Sequence, residues 1–228
     1  MPLPCKGHSV RLPIILASLI SLVALQACDD QKAVASTVAE ESGAAAEAPG
    51  PRLFGHKNFT VVYSVAENPS VSRTEHIRDW GYRKSEILLG ASRIHMVSEN
   101  GRIWVSTSDF PGVFVKNDEV TTGLIAHMDD QPELSIGHRR MLLLGLSPTG
   151  RTGEFAGHAC RYYRSPDDFS SGKIEACTTD WGAMLYSRAE LAQYEAMTIV
   201  ASAVRIGDGG PDEAFAIDKV NAREADTF

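Results

Sequence analysis

The sequence has little of three features that would have assigned it to a familiar class. Its 22 basic residues are outnumbered by 29 acidic ones, and the formal net charge of −7 excludes a basic nucleic-acid footprint. Four cysteines in 228 residues are too few for a disulfide-rich scaffold and are not clustered as zinc ligands are. The N-terminal apolar run, Leu12 to Leu25, has 14 residues, fewer than the roughly 20 that a membrane-spanning helix needs.

The first 28 residues have the order of a secretion signal. Lys6 and Arg11 form a basic start, the apolar run follows, and no acidic residue occurs before Asp29. The run ends in Leu25-Gln26-Ala27-Cys28, which resembles the bacterial lipobox. The resemblance implies that Cys28 becomes a lipidated N-terminus, anchoring the protein to a membrane of the cell envelope with its domain in the periplasm.

The membrane that holds the anchor stays open. Asp29 resembles the signal that retains lipoproteins in the inner membrane, and an outer-membrane location is the alternative. The segment after the anchor has seven alanines, no aromatic residue and a Pro-Gly-Pro ending, which is typical of a flexible tether. We therefore divide the chain into a signal peptide (1–27), a lipidated N-terminus with a flexible Ala-rich linker (28–52), a β domain (53–207), and a C-terminal segment (208–228) with a flexible end.

Polar and apolar residues in the β domain alternate mostly with a period of two, which is typical of antiparallel strands. Strands are predicted around residues 58–65, 73–80, 93–99, 102–107, 112–116, 158–164, 173–179 and 195–206. Residues 119–128 and 137–144 fit either a helix or a strand. The expected fold is therefore mainly β, with α+β as the alternative: an antiparallel sheet, with one or two helices as candidates to cover its apolar face.

Asn100-Gly101 separates two alternating runs and is the strongest hairpin signal in the chain. A two-residue type I′ turn pairs Glu99 with Arg102 and fixes the register of both strands. One face of this hairpin then presents four apolar side chains that either residues 118–149 or a ligand must cover, and in the second case they are the predicted lining of a ligand site: Ile94, Met96, Ile103 and Val105.

The runs His158–Arg164 and Lys173–Thr179 predict a second hairpin. A symmetric hairpin places Cys160 directly opposite Cys177, close enough for a disulfide, and export to an oxidising compartment favours that bond. A metal site that combines these two cysteines with His158 is the alternative, although it lacks a convincing fourth ligand.

These cysteine strands also carry a family resemblance. Gly157–Tyr163 (GHACRYY) and Ala176–Asp180 (ACTTD), together with the GRIWV strand at 101–105, resemble a family of bacterial secreted proteins with the lipoprotein-carrier (LolA/LolB-like) architecture. Many members of that family have no known function. The resemblance implies a half-barrel with an apolar inner face for a lipid-like ligand, and a docked Phe215; it does not extend over 118–149.

No motif predicts catalysis, a cofactor or a bound metal. The Ser-x-x-Lys match at 170–173 lies in a hairpin loop without the partner motifs of the serine enzymes that use it, and no histidine pair has the spacing of zinc ligands. Two hypotheses follow. The protein either holds a lipid-like apolar ligand on its concave face, or it is a structural or partner-binding envelope lipoprotein whose own helix fills that face.

Overall fold

The computed structural model describes residues 48–110, 112–166, 172–190 and 196–224. The predicted signal peptide, Cys28 and most of the predicted linker lie outside these residues. Within them, no helix combines the length and the apolar character that crossing a membrane requires. The prediction of an N-terminal anchor therefore continues to rest on the sequence.

The described residues form a sheet of twelve strands, β1 to β12, whose neighbours follow a linear order. In chain order the strands are Phe59–Val65, Asn68–Arg78, Arg83–Leu89, Arg93–Glu99, Arg102–Thr107, Val113–Asn117, Ser147–Phe155, His158–Arg164, Lys173–Thr178, Met184–Glu190, Met197–Ile206 and Arg223–Glu224. Across the sheet the order is β12-β6-β5-β4-β3-β2-β1-β11-β10-β9-β8-β7, so the sheet is open. All neighbouring pairs are antiparallel except β12 with β6, which confirms the predicted fold class.

The sheet bends around one face. Met197, at the start of β11, packs against a buried group formed by Leu88 of β3 with Ile94 and Met96 of β4. In a flat sheet β11 would lie three and four strand spacings from β3 and β4, or about 14 to 19 Å. Contact between them requires curvature toward this face, which is therefore the concave face.

The β4–β5 hairpin has the predicted turn and register. Asn100 and Gly101 both have positive φ angles, 49° and 80°, as a type I′ turn requires. Glu99 pairs with Arg102, and Met96 pairs with Val105. This prediction is confirmed residue by residue.

The segment that the sequence left open as either helix or strand contains two helices. Helices α1 (Glu119–His127) and α2 (Ile136–Leu143) lie between β6 and β7 in the chain. Each begins at a polar cap: the side chains of Asp118 and Ser135 accept hydrogen bonds from the backbone N–H three residues further on. Such caps favour a helix over a strand at these positions.

The helices pack on the concave face. Leu124 and Met128, at the end of α1, belong to the same buried core as Phe59, Val61 and Tyr63 of β1. Met128 and Phe59 have no exposed surface at all. The helices therefore fill the part of the concave face that lies over β1 and its neighbours.

Residues 208–224 lie across the convex face. Val97 alternates with Met96 along β4 and so points to the opposite side of the sheet, where it packs against Ala214 and Phe215. His95 Nε2 donates a hydrogen bond to the Ala214 carbonyl oxygen at 2.7 Å. Strand β12 then pairs with the edge strand β6.

Cys160 and Cys177 form a disulfide with a Cα–Cα distance of 5.4 Å. The predicted register, with the two cysteines directly opposite, is wrong, because Tyr162 is the residue that pairs with Cys177. Ser165 sets the register: its N–H donates to the Ile174 carbonyl and its Oγ accepts from the Ile174 N–H. The disulfide uses both thiols and thereby excludes the alternative metal site.

Candidate functional site

The four predicted lining residues meet on the concave face. Ile94 and Met96 are buried, whereas Ile103 and Val105 are half-buried. They pack with three further side chains, and we call the whole group the apolar cluster: Val71, Leu88, Ile94, Met96, Ile103, Val105 and Met197.

The helices and the apolar cluster occupy different parts of the concave face. The apolar side chains of α1 and α2 that pack on the sheet belong to the core around β1, β10 and β11 or, for Met141 of α2, to a second core with residues of β8 and β9. Among the described residues, the apolar cluster is made of side chains from strands β2 to β5 and β11. Val71 and Met197 pack against both groups. Covering by the helices is therefore confirmed for one part of the face, not for the part that bears the predicted ligand site.

A group of four charged residues lies beside the apolar cluster, and the sequence analysis did not anticipate it. This ion cluster consists of Arg73 and Glu75 of β2 with Lys84 and Glu86 of β3. Arg73 Nε lies 2.9 Å from Glu86 Oε1, and Lys84 Nζ lies 2.8 Å from Glu75 Oε1. The side chains of Arg73 and Glu86 are each only 4% exposed.

The strand register places the ion cluster and the apolar cluster in one continuous row. Glu75 pairs with Glu86, Glu86 with Met96, and Met96 with Val105. On the other side, Glu75 pairs with Val61 of β1. Paired residues share a face of the sheet, so two carboxylates interrupt an otherwise apolar row.

Ion pairing keeps the side chains of Arg73, Glu75 and Lys84 ionised although burial opposes their charge. Burial raises the pKa of Glu75, but Lys84 and Arg73 outweigh it and lower the pKa to about 2. Burial lowers the pKa of Lys84, but Glu75 and Glu86 outweigh it and raise the pKa above its usual value. The pKa of Arg73 is raised because Glu86 and Glu75 outweigh the opposing effect of burial.

Tyr63 connects the ion cluster to the other half of the sheet. Its hydroxyl lies 3.0 Å from Glu75 Oε2 and 2.9 Å from the carbonyl oxygen of Met184 at the start of β10. Burial and the neighbouring Glu75 carboxylate raise the pKa of Tyr63 well above its usual value, so the phenol is neutral. Tyr63 therefore acts as a hydrogen-bond donor at neutral pH.

Arg140 of α2 carries a further positive charge toward this region. Its Nη1 donates to the Leu53 carbonyl oxygen at 3.1 Å, and its guanidinium carbon lies 4.0 Å from the centre of the Phe54 ring. Its Nε is buried without a hydrogen-bond partner. Burial lowers the pKa of Arg140 to about 10, with Glu75 and Tyr63 acting in the opposite direction. Arg140 is therefore a protonated side chain in a partly desolvated position.

The sequence contained a signal for the ion cluster, but it pointed to the wrong surface. Charged residues two positions apart on a strand, as in Arg73-Thr74-Glu75 and Lys84-Ser85-Glu86, are typical of a solvent-facing side. A 3₁₀ turn at Asp79–Gly81 joins these two strands. The register about that turn places the two acids opposite each other, and extending it to β4 would have located the group beside Met96.

No family model and no curated protein sequence matches the chain. Among solved structures it is similar to MucB in complex with MucA(peri), at 16% identity and a TM-score of 0.42, and to MucB alone, at 14% and 0.44. These similarities cover 71% and 77% of this chain but only 54% and 61% of the MucB chains. A similarity to PNGF-II (C2 space group), at 11% identity and a TM-score of 0.43, covers 74% of this chain and 31% of PNGF-II. With TM-scores below 0.5, these similarities carry no weight in assigning a function.

Proposed function

We propose that this chain is a non-enzymatic lipoprotein of the bacterial envelope that binds a lipid-like apolar ligand on the concave face of its sheet. The observation that supports this function best is the apolar cluster, which lies under the curve of the sheet and beside the helix-covered core. Met96 and Met197 contribute flexible thioether side chains, which adapt readily to different ligand shapes.

The proposed location rests on the sequence and on the cysteine pair. The lipobox-like residues ending at Cys28 imply export and a lipid anchor at an envelope membrane, with the domain in the periplasm. The Cys160–Cys177 disulfide is consistent with an oxidising compartment. The acidic net charge argues against nucleic acid as a partner.

A second function is favoured by a different observation. Leu124 and Met128 of α1 fill part of the concave face, and Ile94 and Met96 are 8% and 6% exposed. A face closed in this way suits a structural or partner-binding envelope lipoprotein that takes no small ligand.

Substituting Met96 separates the two functions. In a ligand-binding face, Met96→Glu leaves the protein folded but removes the ligand, because a carboxylate opposes the entry of an acyl chain. In a packed face, the same substitution unfolds the protein, because the carboxylate is buried without a partner. Native mass spectrometry of the purified full-length protein measures bound lipid, and circular dichroism measures folding.

Leu89→Glu is the matched control, because Leu89 lies on neighbouring β3 and is 46% exposed. It is expected to change neither folding nor lipid content. A folded Met96→Glu protein with the wild-type amount of lipid would remove the apolar cluster from the ligand site.

A further inference from the structure

We propose that the ligand is an anionic amphiphile whose carboxylate or phosphate group pairs with Arg140 while its chain lies on the apolar cluster. This inference rests on the proposed function, because it specifies the class of ligand that the concave face binds. Three observations support it: the charge balance of the face, the incomplete coordination of Arg140, and the distance between Arg140 and the apolar cluster.

The charge balance leaves one positive charge uncompensated. Arg73 and Lys84 are matched by Glu75 and Glu86, which lie within 3.4 Å of them, so the ion cluster has no net charge. Arg140 adds a cation, and among the described residues no carboxylate lies within 4 Å of it. A partly buried cation without an anion is unfavourable, and a single negative charge on a ligand would neutralise it.

Arg140 also has unused hydrogen-bond donors. Only Nη1 donates to a described residue, at the Leu53 carbonyl, and Nε is buried without an acceptor. A guanidinium presents its donors as a planar fork that fits the two oxygens of a carboxylate or phosphate. The adjacent Arg139 differs, because Asp129 lies 3.8 Å from its Nη1 and supplies a carboxylate.

The geometry allows one molecule to reach both regions. Arg140 contacts the Phe54 ring, whose centre lies 5.0 Å from the centre of the Phe59 ring of β1. Val61, two residues further along β1, begins the row that continues through Glu75 and Glu86 to Met96, so Met96 is three strand spacings, or about 14 Å, from Val61. That span is shorter than a fatty acyl chain, and a headgroup at Arg140 therefore leaves enough chain to cover the apolar cluster.

The test compares three probes on the purified full-length protein: oleate, oleyl alcohol and acetate. Oleate and oleyl alcohol have the same chain and differ in charge, whereas acetate has the charge without the chain. We expect oleate to bind at least about tenfold more tightly than oleyl alcohol, since charge-assisted hydrogen bonds distinguish the two. We expect acetate not to compete. Native mass spectrometry titrations give the dissociation constants.

Arg140→Gln is expected to weaken oleate binding to the level of oleyl alcohol without changing the affinity for the alcohol. Arg139→Gln, the matched control on the same helix, is expected to keep the wild-type preference, and Arg140→Lys to keep most of it. Thermal unfolding shows whether each variant is folded. If Arg140→Gln is unfolded, the comparison of oleate with oleyl alcohol in the wild-type protein decides whether an anionic headgroup is preferred.

The outcomes distinguish this inference from the function beneath it. Binding of neither lipid would overturn both. Equal binding of oleate and oleyl alcohol would overturn the anionic headgroup alone and leave the apolar ligand in place. Competition by acetate would mean that the anion site is independent of the chain. An unchanged oleate affinity in folded Arg140→Gln would exclude Arg140 as the headgroup site.

Discussion

The buried ion pair of Arg73 and Glu86 on the concave face is an arrangement that stability alone does not favour. Taking the charges of Arg73 and Glu86 out of water costs several kcal/mol per ion, and their mutual attraction offsets this only when the geometry is very good. Arg73 Nη2 donates a hydrogen bond to Glu86 Oε2 at 3.1 Å, whereas Arg73 Nε and Glu86 Oε1 are 2.9 Å apart but not aligned as a hydrogen bond. Replacing such a buried pair by an apolar pair of similar size is often neutral or stabilising.

Breaking this pair is expected to destabilise the protein more than replacing it. Arg73→Met leaves Lys84 as the only nearby cation, among the described residues, for the carboxylates of Glu75 and Glu86, and is expected to lower the free energy of unfolding by about 3–5 kcal/mol. The double variant Arg73→Met/Glu86→Leu is expected to recover most of that loss. Urea denaturation measures all three proteins.

Arg188→Met is the control for that series, because the Arg188–Glu190 pair is about half exposed on both sides. Its effect is expected to be small beside that of Arg73→Met, because an exposed ion pair contributes little to stability. If the double variant proves as unstable as Arg73→Met, the uncompensated charge is not the source of the loss.

Two histidines under the C-terminal segment predict a loss of stability in mild acid. Burial lowers the pKa of His76, with Arg205 and Arg78 acting in the same direction and Asp208 against it. Burial also lowers the pKa of His95, although its hydrogen bond to Ala214 acts in the opposite direction.

The folded protein therefore binds fewer protons than the unfolded chain, and stability is complete above the unfolded histidine pKa of about 6.5. It is expected to decrease as the pH falls from that value through the lowered pKa values of His76 and His95. Denaturant unfolding at pH 7.5 and 5.5 measures the change. His76→Gln/His95→Gln is expected to flatten it, and exposed His127→Gln to leave it intact; a wild-type stability equal at the two pH values would contradict the prediction.

At the scale of elements, local chemistry determined how well each part was predicted. Asn100-Gly101 specifies both the turn and the register of β4 and β5, so a hairpin and its faces followed from two residues. The cysteine hairpin has no comparable turn dipeptide, and Ser165 shifts its register by forming two bonds with Ile174. Helix α1 was ambiguous because its pattern over nine residues is short and its identity depends on the cap at Asp118.

The candidate site has one half that could be predicted from the sequence and one half that could not. The apolar half could be predicted, because Ile94, Met96, Ile103 and Val105 belong to the hairpin whose register the turn fixes. The charged half could not, because burial of Arg73 and Glu86 depends on the curvature of the whole sheet. The position of Arg140 also depends on the curvature of the sheet, since its helix follows six strands in the chain.

The disulfide is expected to stabilise the β8–β9 hairpin. Its cysteines are 17 residues apart, and a loop of that length corresponds to about 3 kcal/mol in the chain-entropy model. Cys160→Ser/Cys177→Ser is therefore expected to unfold at a lower urea concentration, by about that amount of free energy. Thiol titration of the oxidised wild-type domain should find neither thiol free; two reactive thiols would show that the bond does not form.

For the whole molecule, the predicted lipid anchor at Cys28 can be tested directly. Metabolic labelling of cells with an acyl-chain analogue is expected to tag the wild-type protein. Cys28→Ala is expected to abolish the tag and to release the protein from the membrane fraction. Cys5→Ala is the control, because Cys5 precedes the predicted cleavage site and its loss should change neither result. Unlabelled Cys28→Ala that stays in the membrane fraction would contradict lipid anchoring.

The position of β1 between β2 and β11 has a consequence for the order in which the chain folds. The strands from β2 to β6 and from β7 to β10 pair mainly with neighbours in the chain, so they can assemble while later residues are still being synthesised. β1 has to wait for residues 199–206 before its second edge is paired, and Val97 has to wait still longer for Phe215. A chain that folds during synthesis therefore passes through a state with an open strand edge and an uncovered apolar patch, and such a state is prone to aggregation.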